Sequence, residues 1–592
     1  MEFAEIIEKP RVDGVVLLRP LSAPVEGSLA ITGHHLIFSP SSSGRGATGD
    51  DVWVILHKNV DLVLVEVQRQ QQSMNGSSSM SFSSAISGAS TTPLGVVTLK
   101  CKNFLIVQLE FRQSVEDCQY VAKAVEILAN LTNPIWHYPF FFQHSVDVRE
   151  NGWEAFTAEQ TFAALQVLTD KWRISYVNHD YAVCATYPSA VIVPKSIGDD
   201  ILRASALFRD GGRFPVLSYY HKETKSVVIR CSQPLVGVGN KRCREDEQLL
   251  NAMLSAANRG YILDTRSANA AQTAKQKGGG FEPETSYPLW KRVHKPVQRW
   301  QALQESLAKL IDACNDGNLS SDKWLSKLNN SGWLQNVSDV LTAACVAAQC
   351  IDREEMSVVI HGGQSLDSTA QVVSLVQVIL DPDCRTLRGF EALIEREWVQ
   401  AGHPFSVRCS HAAYARTRGD YATEAPTFLL FLDCVWQITQ QFPCSFEFTD
   451  QLLMHLFEHA YASEFGTFLC NNEKERNELG VKTKTVSIWS HLNRPEVLHN
   501  YMNIFYEPNK APIWPSVAPQ SMALWDKLYC KWTRNWSSID GAFDAIVQLR
   551  HEEKKAISKV SKMRRHLADL EREARAAGID LENLETVGVM TG

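Results

Sequence analysis

The chain lacks a long hydrophobic run. Its longest apolar stretches, residues 372–380 and 428–436, are about nine residues long and carry polar interruptions, whereas a helix that spans a bilayer needs about twenty apolar residues. The beginning, MEFAEIIEK, lacks the basic and then apolar pattern of a secretion signal. We therefore expect any membrane contact of this protein to be peripheral.

An excess of positive charge and a cysteine framework are also missing. Lys and Arg number 59 against 66 Asp and Glu, a formal charge of -7, so the basic surplus of a general polyanion binder is absent and nucleic acid is not an expected partner. The 14 cysteines are scattered singly, without CxxC pairs. Reduced thiols in the cytosol are the simplest interpretation.

The composition that is present is that of a soluble globular protein. Of 592 residues, 45% are hydrophobic and 21% are charged, which provides ample material for a core. At about 150 residues for a typical domain, this length predicts roughly two to four domains.

Short β-branched runs dominate residues 15–111. In the last run, residues 104–111, apolar and polar side chains alternate as a half-buried antiparallel strand requires. A helical stripe follows at 114–129, with Ser114 as the predicted N-cap. We expect six or seven strands closed by one helix, as a small β-sandwich or barrel.

Two Gly/Ser-rich stretches, residues 40–50 and 73–92, interrupt this predicted domain. Since they contain little apolar surface to offset the entropy lost on ordering, we interpret them as disordered insertions between strands. From about 136 to 540 the pattern changes to long amphipathic helices mixed with single strands, which predicts a large α/β domain.

The most informative segment reads as strand 356–360, Gly-containing loop 361–369 and helix 370–380. This layout is typical of an anion cradle, because the free N–H groups at a helix start converge on one point. Taken without other information, the loop is also typical of an ordinary turn that caps a buried helix through Ser365, Asp367 or Ser368.

Residues 542–577 are rich in Lys, Arg, Glu and Ala and contain neither Pro nor Gly. They fit five heptads, which predicts a coiled coil; a solvated single helix is the alternative. Small Ala and polar Glu553 at core positions predict a modest, partner-selective pairing. The a positions are Ile546, Glu553, Val560, Leu567 and Ala574, and the d positions are Leu549, Ala556, Met563, Leu570 and Ala577.

Three other motifs favour structural interpretations. His455 and His459, with Glu458 between them, form H-x-x-E-H, the inverted zinc-protease pattern; core histidines of a helix are the favoured interpretation. The Gly-rich loops at 237–240 and 277–280 complete no nucleotide-binding fingerprint. We predict no metal site and no nucleotide site.

A set of long segments makes the chain resemble the myotubularin family over nearly its whole length. They include SVVIRCSQPLVGVGNKRCREDEQLLNAM (226–253), YILDTRSANAAQTAKQKGGGFEPETSYP (261–288), WLSKLNNSGWL (324–334), AACVAAQCIDRE (343–354), RGFEALIEREWVQAGHPFSVRC (388–409), FLLFLDCVWQITQQFPCSFEF (428–448) and IWPSVAPQSMALW (513–525). The resemblance implies a multidomain α+β and α/β protein with a PH-GRAM-like β domain (1–131), a cysteine-phosphatase-like α/β domain (132–540), a coiled coil (541–578) and a tail (579–592).

Active myotubularins carry His-Cys-Ser-Asp-Gly-Trp-Asp-Arg-Thr at the position of 361–369. The Cys thiolate attacks phosphorus, and the Arg fork holds the phosphate and stabilises the transition state. Here these two positions are Gly362 and Ser368. His361, Asp367 and Thr369 match the family, whereas the remaining positions also differ: Gly363, Gln364, Ser365 and Leu366. The resemblance therefore implies an inactive phosphatase homologue.

A substitute nucleophile is not expected. An alcohol needs an adjacent base, and beside Ser365 and Ser368 the loop offers only Asp367, which is too weak a base. Backbone N–H groups could still hold a phosphate, but Asp367 without the family Arg is expected to repel a dianion. Any phosphate binding by the loop should therefore be weak.

The loop is similar to that of a catalytically inactive family member, and this implies a regulator. Such a protein would bind an active member, from the subgroup of myotubularin-related proteins 6, 7 and 8, through its coiled coil, stabilise it, and raise its activity toward phosphatidylinositol 3-phosphate and phosphatidylinositol 3,5-bisphosphate. A homodimer is another pairing that the heptads allow. The alternative is a phosphoinositide-binding membrane module, acting through residues 1–130 without a phosphatase partner.

The resemblance implies no cofactor. The implied location is the cytoplasm, with peripheral attachment to endomembranes. These would be perinuclear or endoplasmic reticulum membranes, or endosomes.

Overall fold

A computed structural model describes residues 3–41, 52–68, 94–143, 150–317, 320–414 and 423–578. The chain forms two compact units, Met1–Thr533 and Arg534–Gly592. Apart from residues 40 and 41, the predicted Gly/Ser-rich insertions lie outside the described residues, and so does the predicted tail.

A β domain forms the first part of the larger unit. Its seven strands make one antiparallel sheet in the order β4-β3-β2-β1-β7-β6-β5, which confirms the expected β domain. Its elements are α1 (Phe3–Ile6), β1 (Arg11–Leu18), β2 (Val25–Ile31), β3 (His35–Pro40), β4 (Trp53–Leu56), β5 (Val60–Gln68), β6 (Leu94–Cys101), β7 (Ile106–Phe111) and α2 (Val115–Ala129).

Consecutive strands β4 and β5 lie at opposite ends of this sheet. Only the single turn His57–Asn59 joins them, and such a link spans at most about 15 Å. Seven flat strands would separate the two ends by about 29 Å. The sheet must therefore curl until its ends approach each other, which agrees with the barrel-like form of the prediction.

Helix α2 covers the β domain, and it begins where the sequence predicts. The Ser114 hydroxyl accepts a hydrogen bond from the backbone N–H of Asp117 at 3.1 Å, as an N-cap does. The buried stripe of α2 packs in the same core as Leu105 and alternate residues of β7. This core includes Cys118, Val121, Ala122, Val125, Leu128, Leu105, Val107, Leu109 and Phe111.

A mixed α/β domain, residues 150–533, completes the larger unit. Its elements are α3 (Ala158–Leu168), β8 (Trp172–Ser175), β9 (Val191–Pro194), α4 (Asp199–Phe208), β10 (Val216–Tyr220), β11 (Val227–Arg230), α5 (Arg244–Ala252), β12 (Gly260–Asp264), α6 (Ala268–Gln276), β13 (Trp290–His294), α7 (Trp300–Asn315), α8 (Ser321–Ser331), α9 (Trp333–Asp352), β14 (Ser357–His361), α10 (Ser368–Leu380), α11 (Leu387–Ile394), α12 (Phe405–Arg408), α13 (Thr427–Gln441), α14 (Asp450–Tyr461), α15 (Glu473–Leu479), α16 (Val481–Lys484), α17 (Ile488–Leu492), α18 (Pro495–Leu498) and α19 (Asp526–Tyr529).

The central sheet of the α/β domain has the order β10-β11-β14-β12-β13. Strands β11, β14, β12 and β13 run parallel, and β10 is antiparallel to its neighbour. All of β14 and all of α10 are buried, which explains their continuous apolar sequences. The loop between these two elements therefore lies at the carboxyl edge of the sheet, where open α/β folds place their ligands.

The β domain and the α/β domain are joined by specific contacts. Asp61 of β5 accepts hydrogen bonds from Nδ1 of His411 at 2.9 Å and from the backbone N–H of Ala412 at 3.2 Å. The ring of Phe104 stacks on Phe457 with centroids 5.4 Å apart. Polar and aromatic contacts together make the two domains one unit.

The second unit contains one long helix, α20 (Ser537–Ala576). It begins before residue 541, the predicted start of the coiled coil. In the part of the chain that the structure describes, no helix has the length and apolarity needed to cross a membrane. All fourteen cysteines are free thiols.

Candidate functional site: the loop between β14 and α10

The loop 361–369 joins the end of β14 to the start of α10. Asp367 occupies the N-cap position of α10, but its side chain makes no hydrogen bond to a helix N–H group. Ser368 is already the first helical residue. Capping by these side chains, one interpretation of the sequence, is therefore wrong: the Asp367 carboxylate is engaged elsewhere.

Asp367 forms a buried ion pair with Arg408. Its two oxygens accept from Nε of Arg408 at 2.8 Å and from Nη2 at 2.9 Å, and Nε1 of Trp300 donates at 3.0 Å. Burial opposes ionisation, but the hydrogen bonds and charge of Arg408 outweigh it and hold the pKa of Asp367 well below its usual range. The expected repulsion of phosphate assumed an uncompensated carboxylate, and this premise is wrong.

Two buried arginines hold the loop by its backbone. Nη2 of Arg230 donates to the carbonyl oxygen of Ser365 at 2.8 Å, and Nη2 of Arg213 donates to the same oxygen at 3.2 Å. Ser365 has a left-handed backbone with a φ of 63°, an uncommon conformation for a residue other than glycine. Its hydroxyl is buried without a hydrogen-bond partner among the described residues. The guanidinium groups thus fix the turn.

The space at Gly362 is filled by a pair of hydroxyls. Oγ1 of Thr265 and Oγ of Ser368 form a 2.7 Å hydrogen bond. A Cβ atom at Gly362 would lie 2.7 Å from Oγ1 of Thr265 and 3.2 Å from Oγ of Ser368. Thr369 is fully buried, and its hydroxyl has no partner in the described structure. At the position of the family's nucleophile, a side chain would therefore meet these two hydroxyls.

His361 belongs to a buried charge network. Its Nε2 lies 3.0 Å from Oε2 of Glu282, and Nη1 of Arg209 donates to Oε1 of Glu282 at 2.6 Å. Arg209 also binds both oxygens of Asp246. Burial lowers the pKa of His361, but the charge of Glu282 outweighs it and raises the pKa overall. This network anchors the carboxyl end of β14.

Arg299 is a cation at the mouth of the loop. Its Nη1 lies 3.3 Å from the position that a Cβ of Gly363 would take, and its guanidinium packs 4.7 Å from the ring centroid of Trp300. Gln364 is exposed, and Leu366 is half-buried with its carbonyl oxygen 2.7 Å from Nδ1 of His403. Arg299 comes from the start of α7, whereas the family's arginine is a residue of the loop itself, at position 368.

The loop offers no activated nucleophile among the described residues. The hydroxyl of Ser368 is paired with Thr265, and the hydroxyl of Ser365 contacts no base. Asp367, the nearest carboxylate in sequence, is held by Arg408. The arrangement can therefore position a loop backbone and a helix start, but it activates neither alcohol for attack.

Sequence reasoning missed the supporting residues Thr265, Arg213, Arg230 and Arg408. Each lies far from the loop along the chain, so no local signal identified it. Arg230 and Thr265 do follow or end buried strands of the parallel sheet. That position is the one available signal, because strand ends of a parallel sheet meet at one edge.

The H-x-x-E-H motif lies in α14. The rings of His455 and His459 are 4.1 Å apart, and Oε1 of Glu458 accepts from Nζ of Lys531 at 2.7 Å. Burial lowers the pKa of His455 to about 4. No group of three or more His, Cys, Asp or Glu side chains suited to a metal ion occurs among the residues that the structure describes.

Comparison with known sequences identifies the class of fold and then the family. The family described as Myotubularin-like phosphatase domain matches residues 137–477, more than half of the chain. The α/β domain with its loop at the sheet edge is thus a phosphatase-type domain. The chain belongs to the myotubularin family, which confirms the resemblance read from the sequence.

Individual relatives cover nearly the whole chain. Myotubularin-related protein 9 of Mus musculus is 50% identical over 573 residues, 97% of this chain and 99% of that protein. Myotubularin-related protein 9 of Caenorhabditis elegans is 45% identical over 588 residues, again 97% of this chain and 99% of the relative. Phosphatidylinositol-3-phosphate phosphatase MTMR7 of Homo sapiens is 33% identical over 564 residues, 93% of this chain and 80% of that protein.

Proposed function

We propose that this chain is a non-catalytic myotubularin that binds an active family member through α20, stabilises it and raises its activity. The substrates of the active member are phosphatidylinositol 3-phosphate and phosphatidylinositol 3,5-bisphosphate. One observation carries the proposal: the phosphatase fold is retained around a loop with Gly362 and Ser368 where the chemistry needs a thiolate and a guanidinium.

The geometry of the loop supports the lack of catalysis. Phosphoryl transfer through a cysteine needs the thiolate at the helix start and a planar cation that binds the phosphate oxygens. The Thr265–Ser368 hydrogen bond occupies that region. Both losses act on the transition state, so the rate should fall by many orders of magnitude rather than partially.

Helix α20 supports the binding role. Its seam residues Leu549, Met563 and Leu567 are 57–65% exposed, and an apolar stripe at heptad spacing buries its surface only against another helix. Fully burying each large seam residue contributes about 1.5–3 kcal/mol. Glu553 and the small side chains of Ala556, Ala574 and Ala577 limit that gain, which favours selective pairing with a complementary helix.

The proposed partners are the active myotubularin-related proteins 6, 7 and 8, and the homodimer is the competing assembly. In support, a relative that aligns over 93% of this chain is named a phosphatidylinositol-3-phosphate phosphatase. The PH-GRAM-like assignment of the β domain, peripheral phosphoinositide contact and a cytoplasmic, endomembrane-associated location belong to the same proposal.

Point substitutions in α20 test the pairing more sharply than a deletion of 542–577. The seam variant Val560→Asp with Leu567→Asp places two charges at a positions. The matched control Ser558→Asp with Arg565→Asp places the same side chains at f positions, on the opposite face of the helix. The readouts are co-purification with MTMR7 and phosphate release from phosphatidylinositol 3-phosphate.

We expect the full-length chain alone to release no phosphate and to raise the rate of MTMR7. The seam variant should lose both co-purification and stimulation, whereas the control variant should keep both. Phosphate release by the isolated chain would overturn the non-catalytic assignment. Undiminished complex formation by the seam variant would overturn the role of α20.

A further inference from the structure

Charge is distributed unevenly along α20. Its five heptads run from residue 546 to residue 577. The middle of these heptads, residues 554–565, carries six cations and no acidic residue: Lys554, Lys555, Lys559, Lys562, Arg564 and Arg565. Any pairing of two copies along all five heptads, parallel or antiparallel, brings the two basic segments side by side. Self-pairing of α20 therefore places like charges next to each other.

Two of these cations border the seam directly. In the register that places Ile546 at position a and Leu549 at position d, Lys559 occupies position g and Arg564 occupies position e. Both residues are exposed. Side chains at e and g flank the core of a coiled coil and face the partner helix, so they set the choice of partner. The other four cations lie at positions b, c and f, on the outer side of the helix, where salt screens them.

A parallel pair of two copies of α20 meets repulsion at its flanks and in its core. In a parallel pair a g residue faces the e residue of the following heptad, so Lys559 of each copy would face Arg564 of the other. At the same time Glu553, at position a, would face Glu553 of the second copy across the apolar seam. Glu553 has an ion pair with Arg550 of its own helix, but an exposed pair of this kind contributes little. Like charges at these facing positions oppose the parallel homodimer.

An antiparallel pair of two copies gains no net attraction at its flanks. With all five heptads overlapped, e residues face e residues and g residues face g residues. Arg550 then faces Glu571 and attracts it, whereas Glu552 faces Glu573 and repels it. These two contributions oppose each other, and the basic segments still lie together at the centre of the pair. Self-pairing of α20 is thus disfavoured in both directions.

We propose that α20 pairs in parallel with a helix whose middle is acidic. Carboxylates at the flanks of that helix face Lys559 and Arg564, and a basic or neutral polar side chain faces Glu553. Opposite charges at e and g select a partner, and a single polar a position fixes the register with a matching polar residue. This inference rests on the proposed function, because it gives the chemistry of the helix that α20 binds. A second copy of this chain is therefore not the preferred partner.

An anionic membrane is the other kind of surface that suits a basic amphipathic helix, but the apolar stripe of α20 favours a helix. Glu553 places a negative charge within this stripe, and Ala556 adds little apolar surface to it. From residue 546 to residue 577 the sequence contains no Trp, Phe or Tyr, although aromatic side chains are typical of helices that lie in a bilayer surface. Small and polar seam residues instead suit the close approach of a second helix.

The charge-swapped variant is Lys559→Glu with Arg564→Glu in the full-length chain. In a parallel pair with the wild-type chain, each wild-type cation at these positions then faces a carboxylate. The matched control is Arg565→Glu with Arg572→Glu, which makes the same change in net charge at two f positions, away from the seam. Glutamate is a good helix former, so both variants keep α20 helical.

Each variant is titrated separately against fluorescently labelled wild-type chain and against labelled MTMR7. We expect the charge-swapped variant to bind the wild-type chain about tenfold more tightly than the wild-type chain binds itself, and to bind MTMR7 about tenfold more weakly, because two flanking pairs change sign in each complex. The control should match the wild-type chain in both titrations. Added salt should weaken the complex with MTMR7 and strengthen self-association, since it screens attraction in one and repulsion in the other.

Glu553→Leu tests the seam and should tighten self-association by at least about tenfold, because two facing carboxylates become an apolar contact. Three results would overturn the proposal. These are wild-type self-association as tight as binding to MTMR7, equal binding of MTMR7 by the charge-swapped and control variants, or no tighter pairing of the charge-swapped variant with the wild-type chain. Sedimentation with phosphatidylserine vesicles that only the charge-swapped variant loses, together with unchanged MTMR7 binding, would assign the basic segment to a membrane instead. In each case, MTMR7 binding lost in Val560→Asp with Leu567→Asp would still uphold pairing through α20, so the two proposals fail separately.

Discussion

Gly362→Ala should destabilise the protein although alanine usually stabilises a chain. A Cβ at this position would lie 2.7 Å from Oγ1 of Thr265, against an ordinary contact of 3.4 Å or more, so Thr265 must move by about 0.7 Å. Thr265 is fully buried, and its N–H donates to the carbonyl oxygen of His361 at 2.9 Å. The neighbour therefore cannot shift without breaking contacts.

The size of the effect follows from the bonds at risk. Displacing Thr265 lengthens its hydrogen bond to Ser368 and costs about 1–3 kcal/mol when a buried hydroxyl is left unsatisfied. Replacing glycine where φ is ordinary regains about 0.4–1 kcal/mol through the unfolded state. The expected net loss in the free energy of unfolding is about 0.5–2 kcal/mol. For a unit of this size, each kcal/mol lowers the unfolding temperature by on the order of 1 °C.

The assay is thermal unfolding of a mutant cycle with Thr265→Ala. In that background the 2.7 Å contact is absent and only the 3.2 Å contact with Oγ of Ser368 remains, so Gly362→Ala should cost less than it does in the parent chain. Gly239→Ala is the matched control, because nothing lies within 4 Å of a Cβ there and the residue is exposed. An equal effect of Gly362→Ala in both backgrounds would refute the steric argument. The same contact predicts that a cysteine at 362 is poorly accommodated.

Two further predictions concern buried carboxyls. Asp367→Asn leaves the Arg408 guanidinium without its charge partner and should cost about 3–5 kcal/mol. The pKa of Asp367 is lowered in the folded state. The ionised carboxylate therefore adds to the free energy of unfolding above about pH 4, its pKa in the unfolded chain, and this contribution disappears as the pH falls below that value. Unfolding temperatures measured at a series of pH values below about pH 4 check this. Burial raises the pKa of Glu391 to about 8, despite the hydrogen bond from Asn493. Its stabilising effect should decline as the pH rises from about 4.5 to 8. Glu391→Gln should flatten this decline in thermal melts, and an unchanged pH profile would contradict the assignment.

Local patterns in the sequence predict the elements of this protein well. The alternation in residues 104–111 and the Ser114 cap predict β7 and α2, and both form where expected. Continuous apolar runs predict β14 and α10, because an element buried on all sides carries no polar face. Each of these elements depends on residues that are neighbours in the chain, so a local sequence pattern predicts it. The strand order of the β domain was not predictable, since it depends on which strands pair across the chain.

The candidate site was predictable only in part. The identities of Gly362 and Ser368, and the chemistry that they lack, are visible in the sequence through its resemblance to the family. The pairing of Asp367 with Arg408 is not visible, because 41 positions separate the two residues. The assumption that Asp367 is uncompensated was wrong for this reason, and weak phosphate binding by the loop stays a prediction. A charge can be judged only with its spatial partner.

The amino-acid sequence by itself determined which side chains the loop 361–369 carries, the apolar stripe of α20 and the family of the chain. Only the tertiary structure decided that Thr265 fills the space beside Gly362, that Arg213 and Arg230 hold the turn, and that Arg408 pairs with Asp367. The physical reason is that covalent identity and helical periodicity are local properties of a chain. Packing, burial and charge compensation instead depend on residues that folding alone brings together.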